Sequence, residues 1–266
     1  MPTLLCIDTF TREPFRGNAA GVCLVDDAAA FPESRMQSIA AELRLSETAF
    51  VAPKGDGFSL RWFTPTQEVL LCGHGTLASA HALWSTGALD PETPVRFSTR
   101  WKGALTARRI DGPNMTVAVD FPAARSTRVD TPPGLEAALG TTIVAVGSND
   151  LHHVAEVADE ATVRALAPDR ASLLAVTVTA RSDDPEFDFV SRYFAPRHGI
   201  VEDPVTGSAH TSLGPWWAEQ LGRTKLVGHQ VSRRSGVVRV RVGEPAPDRV
   251  TIEGDLVTVW QGELLA

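Results

Sequence analysis

The sequence contains few of the residues that several kinds of chemistry require. It has three cysteines, Cys6, Cys23 and Cys72, which are too few for a disulfide framework. Lysine occurs only three times, which leaves few candidates for a Schiff-base residue. The net charge is −7 without a block of like charge, so the chain lacks the basic face that nucleic acids and anionic membrane surfaces require. We expect neither as a partner.

Several binding and catalytic motifs are absent as well. No Gly-x-Gly-x-x-Gly follows a strand pattern, and the chain has no Walker loop, no His-Glu-x-x-His and no Gly-x-Ser-x-Gly. His152 and His153 are adjacent, but neighbouring residues on a strand point to opposite faces, so they are not expected to share a metal. We predict no metal and no cofactor. Without a run of about 18 apolar residues or a charged-then-apolar leader, we expect a cytoplasmic protein.

The sequence does contain an internal repeat. Arg61-Trp-Phe-Thr-Pro65 and Arg192-Tyr-Phe-Ala-Pro196 resemble each other, lie 131 residues apart in a chain of 266, and each leads into a glycine-flanked helix start. This spacing indicates a duplicated half-domain with two similar helix N-termini facing a central cleft. The predicted halves are residues 1–121, joined by a C-terminal strand at about 255–266, and residues 122–254.

The patterns of apolar residues predict an α+β fold in which each half is a curved sheet wrapped around one central helix. Many short β-type runs surround a few helical segments. The helices are predicted at Ser34–Leu43, Thr76–Trp84, Glu160–Leu166 and Ser208–Leu221. The chain is expected to close with two strands, at Val250–Gly254 and Leu256–Glu263.

The two helix starts are the candidate functional site. Backbone N–H groups at a helix N-terminus lack partners, and the local dipole favours an anion. Two such ends suit a small substrate that carries a carboxylate, or an enolate that forms during the reaction. Besides Asn18, the residues expected to contact the substrate belong to these two starts: Cys72, Gly73, Gly75 and Thr76 in the first half, and Thr206 and Gly207 in the second.

Three segments resemble the signature segments of the phenazine-biosynthesis PhzF-like family. They are Leu45-Ser-Glu-Thr-Ala-Phe50, Leu71-Cys-Gly-His-Gly-Thr-Leu-Ala-Ser-Ala-His81 and Glu202-Asp-Pro-Val-Thr-Gly-Ser-Ala209. The opening Asp8-Thr-Phe-Thr and Phe15-Arg-Gly-Asn-Ala-Ala-Gly21 fit as well. The resemblance implies the diaminopimelate-epimerase-like fold, with two pseudo-symmetric halves, each a mixed barrel around a central helix, and an active site between them. It also implies a homodimer.

The resemblance assigns roles to four residues. The family's catalytic glutamate falls on Glu47, its histidine on His74, and its aspartate and serine on Asp203 and Ser208. Glu47 would carry a proton to and from carbon, while the other three position the substrate and assist. In a water-poor cleft the pKa of Glu47 is expected to be raised, which suits a general acid/base near neutral pH. The leading hypothesis is a cofactor-independent isomerase of a small carboxylate-bearing metabolite.

Two other hypotheses stay open. Related epimerases and racemases of this fold use two thiols, one in each half, but this chain has no cysteine after Cys72, which excludes a two-thiol racemase. A racemase in which Cys72 opposes another acid is not excluded, because a helix N-terminus lowers a thiol pKa. The remaining alternative is a non-catalytic binding protein on the same fold. Leu70-Leu71 and the His152-His153 pair depart from the better-known family pattern, so a phenazine precursor is not assumed as the substrate.

Overall fold

The computed structural model describes residues 1–29, 31–112, 114–169, 171–196 and 200–265. The chain forms two compact units. Unit 1 comprises Met1–Asp120 and Glu253–Ala266, and unit 2 comprises Phe121–Ile252. The strand β17, Arg249–Glu263, begins in unit 2 and ends in unit 1. No helix in the described ranges is both long and apolar enough to cross a membrane.

Unit 1 is built on eight strands that pair into a closed barrel. The strands, besides β17, are β1 Thr3–Thr9, β2 Asn18–Leu24, β3 Glu47–Lys54, β4 Gly57–Phe63, β5 Glu68–Val69, β6 Val95–Thr99, β7 Ala104–Ile110 and β8 Thr116–Pro122. The antiparallel pairs are β1/β2, β3/β4, β6/β7 and β7/β8, and the parallel pairs are β2/β3 and β4/β6. Strand β17 closes the barrel by pairing with both β1 and β8, and the short β5 pairs with β4.

One buried helix packs against several strands of this barrel. Helix α2, Gly73–Ser85, contacts β1, β2, β3 and β7, and every residue from Gly73 to Trp84 is buried. A helix that is enclosed on all sides needs apolar or small residues all round, so it shows no amphipathic stripe. The other helix of unit 1, α1 at Glu33–Leu43, instead buries only Met36 and Ala40.

Unit 2 repeats the same order of strand pairings. The pairs β10/β11, β12/β13 and β15/β16 are antiparallel, while β11/β12 and β13/β15 are parallel. Strands β9 and β14 pair with β10 and β13. The strands are β9 Thr127–Val129, β10 Ala145–Ser148, β11 His153–Glu156, β12 Val176–Arg181, β13 Phe189–Ala195, β14 Ile200–Asp203, β15 Lys225–Gln230 and β16 Gly236–Val242. The helices are α3 Leu135–Leu139, α4 Glu160–Ala165 and α5 Gly207–Leu221.

Helix α5 is the counterpart of α2 in the second unit. It packs against β15 and β16, and its Leu213, Trp216 and Trp217 belong to an apolar cluster with Val154 and Phe189. The two central helices therefore occupy equivalent places in two similar sheets. The α+β fold with two pseudo-symmetric halves, each a barrel-like sheet around a helix, is confirmed.

The repeated segments make the same contacts in both units. Arg61 on β4 donates from Nε and Nη2 to Glu68, at 2.7 and 2.6 Å. Arg192 on β13 donates from the same two atoms to Glu202, at 2.7 and 3.0 Å. Each guanidinium also lies over a phenylalanine ring two residues further on, Phe63 or Phe194. The two similar segments thus form the same arginine–glutamate and arginine–phenylalanine contacts in each unit.

Two details of the predicted elements are wrong. Helix α2 begins at Gly73, three residues before the predicted start at Thr76, because the glycines are the first residues of the helix and not a loop before it. The two predicted closing strands are a single strand of 15 residues, β17, which runs through Gly254 without a break. A Cβ at position 254 would lie 2.5 Å from the ring of Phe10, so this glycine serves close packing instead of ending the strand.

The Arg192–Glu202 pair is expected to be important for stability. The two side chains are only 13% and 23% exposed, and Arg192 Nη1 also donates to the carbonyl of Leu166 at 2.8 Å. Arg192→Ala leaves a largely buried carboxylate without its partner, which should cost about 2–4 kcal/mol in urea unfolding. Arg96→Ala is the matched control, because the side chains of Arg96 and its partner Asp56 are 67% and 83% exposed. This substitution should lower the free energy of unfolding by less than about 1 kcal/mol. Equal losses would contradict this account.

Candidate active site

The first helix start is capped by a cysteine. Cys72 is the N-cap of α2, in extended conformation, and its Sγ accepts a hydrogen bond from the backbone N–H of Gly75 at 3.3 Å. The Cys72 carbonyl accepts a hydrogen bond from Thr76 Oγ1 at 2.6 Å. The thiol thus takes the place that a serine or aspartate oxygen occupies at most helix N-termini. Cys72, Gly73, Gly75 and Thr76, four of the predicted substrate contacts, are all buried.

Gly75 is required by close packing at this helix start. A Cβ at this position would lie 2.9 Å from the Trp62 ring and 3.0 Å from Cys72 Sγ. Both neighbours are buried, so neither has room to move. The glycine therefore allows the thiol and the indole to pack against the helix backbone.

His74 occupies the centre of the cluster in unit 1. It is the second residue of α2 and is buried. Its Nδ1 lies 3.5 Å from Cys72 Sγ and 3.4 Å from the amide nitrogen of Asn18. Its Nε2 lies 3.3 Å from Ser46 Oγ and 3.2 Å from Glu47 Oε2. The histidine therefore links the helix start to the beginnings of β2 and β3.

Glu47 is the first residue of β3, and its side chain is 13% exposed. The preceding residue, Ser46, fixes this corner, because its hydroxyl lies within hydrogen-bonding distance of Asn18 Oδ1 at 3.1 Å and of the Ala19 carbonyl at 3.2 Å. Glu47 Oε2 is buried and makes no hydrogen bond of good geometry, although it lies beside the His74 ring. The carboxylate therefore depends on the charge of the imidazole more than on directed hydrogen bonds.

The ionisation of these groups follows from their proximity. Burial alone would raise the pKa of Glu47, but the charge of His74, together with the close polar contacts of His74 and Ser46, makes the net shift a lowering. Burial would likewise lower the pKa of His74, but Cys72 and Glu47 raise it well above 6.5. Of Cys72 and Glu47, we assign the larger effect on the His74 pKa to Glu47. Burial raises the pKa of Cys72 and keeps it a neutral thiol, which carries no charge to attract the imidazolium. Near neutral pH the cluster holds a carboxylate, an imidazolium and a thiol.

The expectation of a raised pKa for Glu47 is therefore wrong. The prediction considered burial, which does favour the neutral acid, but not an ion partner inside the same pocket. Desolvation is the largest single effect on the pKa of Glu47, but the attraction to His74 at 3.2 Å and the polar contacts with His74 and Ser46 together exceed it. Glu47 is a base that is already ionised, not an acid that holds its proton.

In unit 2, Asp203 lies at the end of β14 and is tied to the start of α5. Thr206, the N-cap of α5, donates from Oγ1 to Asp203 Oδ2 at 2.5 Å, and so its side chain does not cap the helix. Gln230 Oε1 accepts from the Thr206 backbone N–H at 2.8 Å, and Gln230 Nε2 donates to the Asp203 carbonyl at 2.8 Å. Both Asp203 and Thr206 are buried.

Gly207 and Ser208 are the first two residues of α5. Ser208 is partly exposed, in contrast to His74, which occupies the same second position of α2. The predicted site residues thus fall into two groups, each at one helix start. Glu47, His74, Cys72 and Asn18 are in contact in unit 1, and Asp203 and Thr206 are in contact in unit 2.

Three other histidines are buried without an ion partner and are neutral. Burial lowers the pKa of His81, His152 and His210 to about 4 in each case. His81 Nε2 lies 2.8 Å from Thr258 Oγ1, and His210 Nδ1 lies 2.8 Å from the Thr206 carbonyl. These contacts give His81 and His210 local hydrogen bonds within the packed core. Only His74, among the histidines of the described ranges, lies beside a carboxylate within ion-pair distance.

Sequence reasoning missed two residues of these clusters, Ser46 and Gln230. Ser46 precedes Glu47 in the segment Leu45–Phe50, so the sequence could have indicated that it lies beside the site. Gln230 ends β15 and meets Asp203 only because β13 and β15 pair in parallel, with Ser191 opposite Gln230. No local pattern marks such a residue.

Comparison with known proteins supports a single family over nearly the whole chain. Residues 7–262 match the sequence profile of PhzC-PhzF, described as phenazine biosynthesis-like protein. A Pseudomonas aeruginosa protein named as an uncharacterized isomerase is 46% identical over 268 residues, covering 98% of both chains. One with the same description from Halalkalibacterium halodurans is 40% identical and covers 97% of both. The crystal structure of a PhzF-family phenazine biosynthesis protein from Enterococcus faecalis is 37% identical, covers 100% of this chain and 99% of its own, and superposes with a TM-score of 0.90.

The pKa of His74 should depend on Glu47. We expect the His74 ring to titrate well above pH 6.5 in NMR spectra, with its signals assigned by their loss in His74→Gln. Glu47→Gln removes the negative charge at 3.2 Å while burial remains, so the pKa of His74 should fall. Glu42→Gln is the control, because Glu42 is exposed on α1 and should leave the titration unchanged. An unchanged pKa in Glu47→Gln would show that Glu47 is not the ion partner.

Proposed function

The chain belongs to the phenazine biosynthesis-like PhzC-PhzF family and is an isomerase, and on that premise we propose that it moves a proton on a small carboxylate-bearing metabolite, with Glu47 as the acid/base. The observation that carries this proposal is the contact between Glu47 and His74 at 3.2 Å. It pairs an ionised base with a buried cation at a helix start. A base of this kind can move a proton between carbons, and a nearby cation stabilises the negative charge that develops.

Glu47 is suited to take a proton because it is already a carboxylate. Its lowered pKa keeps it ionised near neutral pH, and its Oε2 is buried without a hydrogen bond to satisfy it. The lowered pKa also makes Glu47 a weaker base than an ordinary glutamate, so proton transfer depends on its position beside the substrate and on stabilisation of the charge that develops. The same group then returns the proton to another carbon, so that the reaction requires no cofactor.

His74 and the start of α2 are suited to stabilise the negative charge that forms on the substrate. Removing a proton next to a carboxylate places charge on oxygen, as an enolate. The imidazolium and the N–H groups at the positive end of a helix favour such an oxygen. We assign Asn18, Gly73, Gly75 and Thr76 to substrate contacts on this helix start.

The second helix start is assigned to substrate positioning. Ser208 offers a partly exposed hydroxyl, while Asp203 is held by Thr206 and by the Gln230 side chain. Together with Gly207 these residues form a second group of polar atoms at a helix N-terminus. The homodimer, the cytoplasmic location and a role in biosynthesis are further parts of the proposal, and they rest on the family.

A second candidate function is supported by one contact. Cys72 Sγ lies 3.5 Å from His74 Nδ1, so the thiol can exchange a proton with the ring. Because the pKa of Cys72 is raised, the thiol keeps its proton and is suited to donate it in a racemase or epimerase, in which another acid would act on the opposite face of the substrate. The two candidates differ in whether the thiol is required.

Solvent exchange separates these candidates. Small carboxylic acids are incubated with the enzyme in deuterated water, and deuterium incorporation at carbon and product formation are followed. Glu47→Gln should reduce the rate about 10²–10⁴-fold, because it removes the acid/base group. Cys72→Ser retains a good N-cap and should keep most of the activity.

The outcomes are distinct. Equal rates in wild type and Glu47→Gln would reject Glu47 as the base, and a loss in Cys72→Ser as large as that in Glu47→Gln would favour the thiol-assisted reaction. Glu42→Gln, an exposed glutamate on α1, is the matched control and should behave as wild type. A melting shift with some acids, without exchange or product from any of them, would favour a binding protein.

A further inference from the structure

Three side chains of the kinds that bind zinc lie together in unit 1. One ligand atom from each of Glu47, Cys72 and His74 lies within 4.8 Å of the other two. Cys72 and His74 come from the start of α2, and Glu47 from the start of β3. A thiol, an imidazole and a carboxylate are all ligands that Zn²⁺ accepts, and three protein ligands with one open position are typical of exchangeable or catalytic sites.

Two of the three distances between ligand atoms are close to those of a tetrahedral centre. Zn²⁺ lies about 2.0–2.2 Å from nitrogen and oxygen and about 2.3 Å from sulfur, which separates pairs of ligand atoms by roughly 3.3–3.6 Å. His74 Nε2 is 3.2 Å from Glu47 Oε2 and 3.9 Å from Cys72 Sγ. The third pair, Cys72 Sγ and the Glu47 oxygen, lies within 4.8 Å, so metal entry would draw these side chains together by up to about 1.2 Å.

An independent observation points to a ligand at this cluster. Glu47 Oε2 is buried and has no hydrogen-bond partner, although a buried carboxylate oxygen normally has one. It lies on the side of the carboxylate that faces His74 Nε2. Its charged contact is the His74 ring, so a cation that replaces the imidazolium proton would meet a carboxylate oxygen without a competing hydrogen bond.

We propose that Cys72, His74 and Glu47 bind a zinc-class divalent cation, with the fourth position open to water, and that the bound cation inhibits the enzyme. Binding replaces the thiol proton and the imidazolium proton by the metal, and both protons pass to the solvent. The thiolate and the carboxylate then balance the two positive charges of the cation. The inhibition, though not the binding, rests on the proposed function, because the metal occupies the Glu47 oxygen that takes the substrate proton.

Cobalt(II) is the probe, because it replaces zinc in such sites and reports sulfur ligation by absorption. The reduced, EDTA-treated enzyme is titrated with Co²⁺ under exclusion of oxygen. We expect one equivalent to bind with a thiolate-to-cobalt charge-transfer band and the visible bands of a tetrahedral site, and Zn²⁺ to abolish both.

Cys72→Ser should lose the charge-transfer band, and Glu47→Gln should bind Co²⁺ about tenfold or more weakly. Cys23→Ala is the matched control, because Cys23 is a buried core thiol whose pKa is raised to about 12, and should bind Co²⁺ as wild type does.

The outcomes separate this proposal from the proposed function. Absence of the charge-transfer band in the wild type, or its persistence in Cys72→Ser, overturns the metal site and leaves the isomerase assignment untouched. Solvent exchange measured in EDTA tests the isomerase alone, since it contains no added metal. If the enzyme turns over in EDTA and Zn²⁺ binds without reducing the rate, the inhibitory role is wrong.

Discussion

The candidate active site depends on one interaction, the ion pair between Glu47 and His74. His74 is buried at the N-terminus of α2, where both desolvation and the helix dipole disfavour an imidazolium. The carboxylate of Glu47 at 3.2 Å compensates both costs, and in return the imidazolium keeps Glu47 ionised. Neither group would have its present charge without the other. The pair thus keeps a buried glutamate ionised and a cation beside it, and in the proposed reaction these would be the base and the group that stabilises charge on the substrate.

The two units share the same framework around their central helices but differ in the residues at the helix starts. In both units an arginine–glutamate pair fixes the strand that precedes the central helix, and in both the helix begins with glycine. The residues that follow differ, with a buried histidine in α2 and a partly exposed serine in α5. A symmetric framework therefore presents two chemically different helix starts.

Much of this arrangement could be predicted from the sequence, and the remainder depends on contacts that sequence does not encode locally. The repeat at Arg61 and Arg192 predicted the duplication, and the glycine-flanked starts predicted where the polar residues collect. The first residue of α2 was misplaced because glycine, a poor helix former, here begins a helix whose position is fixed by packing. Gln230 could not be found because parallel strand pairing brings it to Asp203. The direction of the Glu47 pKa shift required the distance to His74.

The charge of Glu47 itself tests the account most directly. The side-chain carboxyl carbon of Glu47 can be followed by ¹³C NMR as the pH is lowered, with its signal assigned by its absence in Glu47→Gln. Glu47 should stay ionised through neutral pH and titrate below its ordinary value of 4.5, because His74 holds the proton. A midpoint above 4.5 would contradict the account, since Glu47 would then be an acid raised by burial and not a base held by its ion partner.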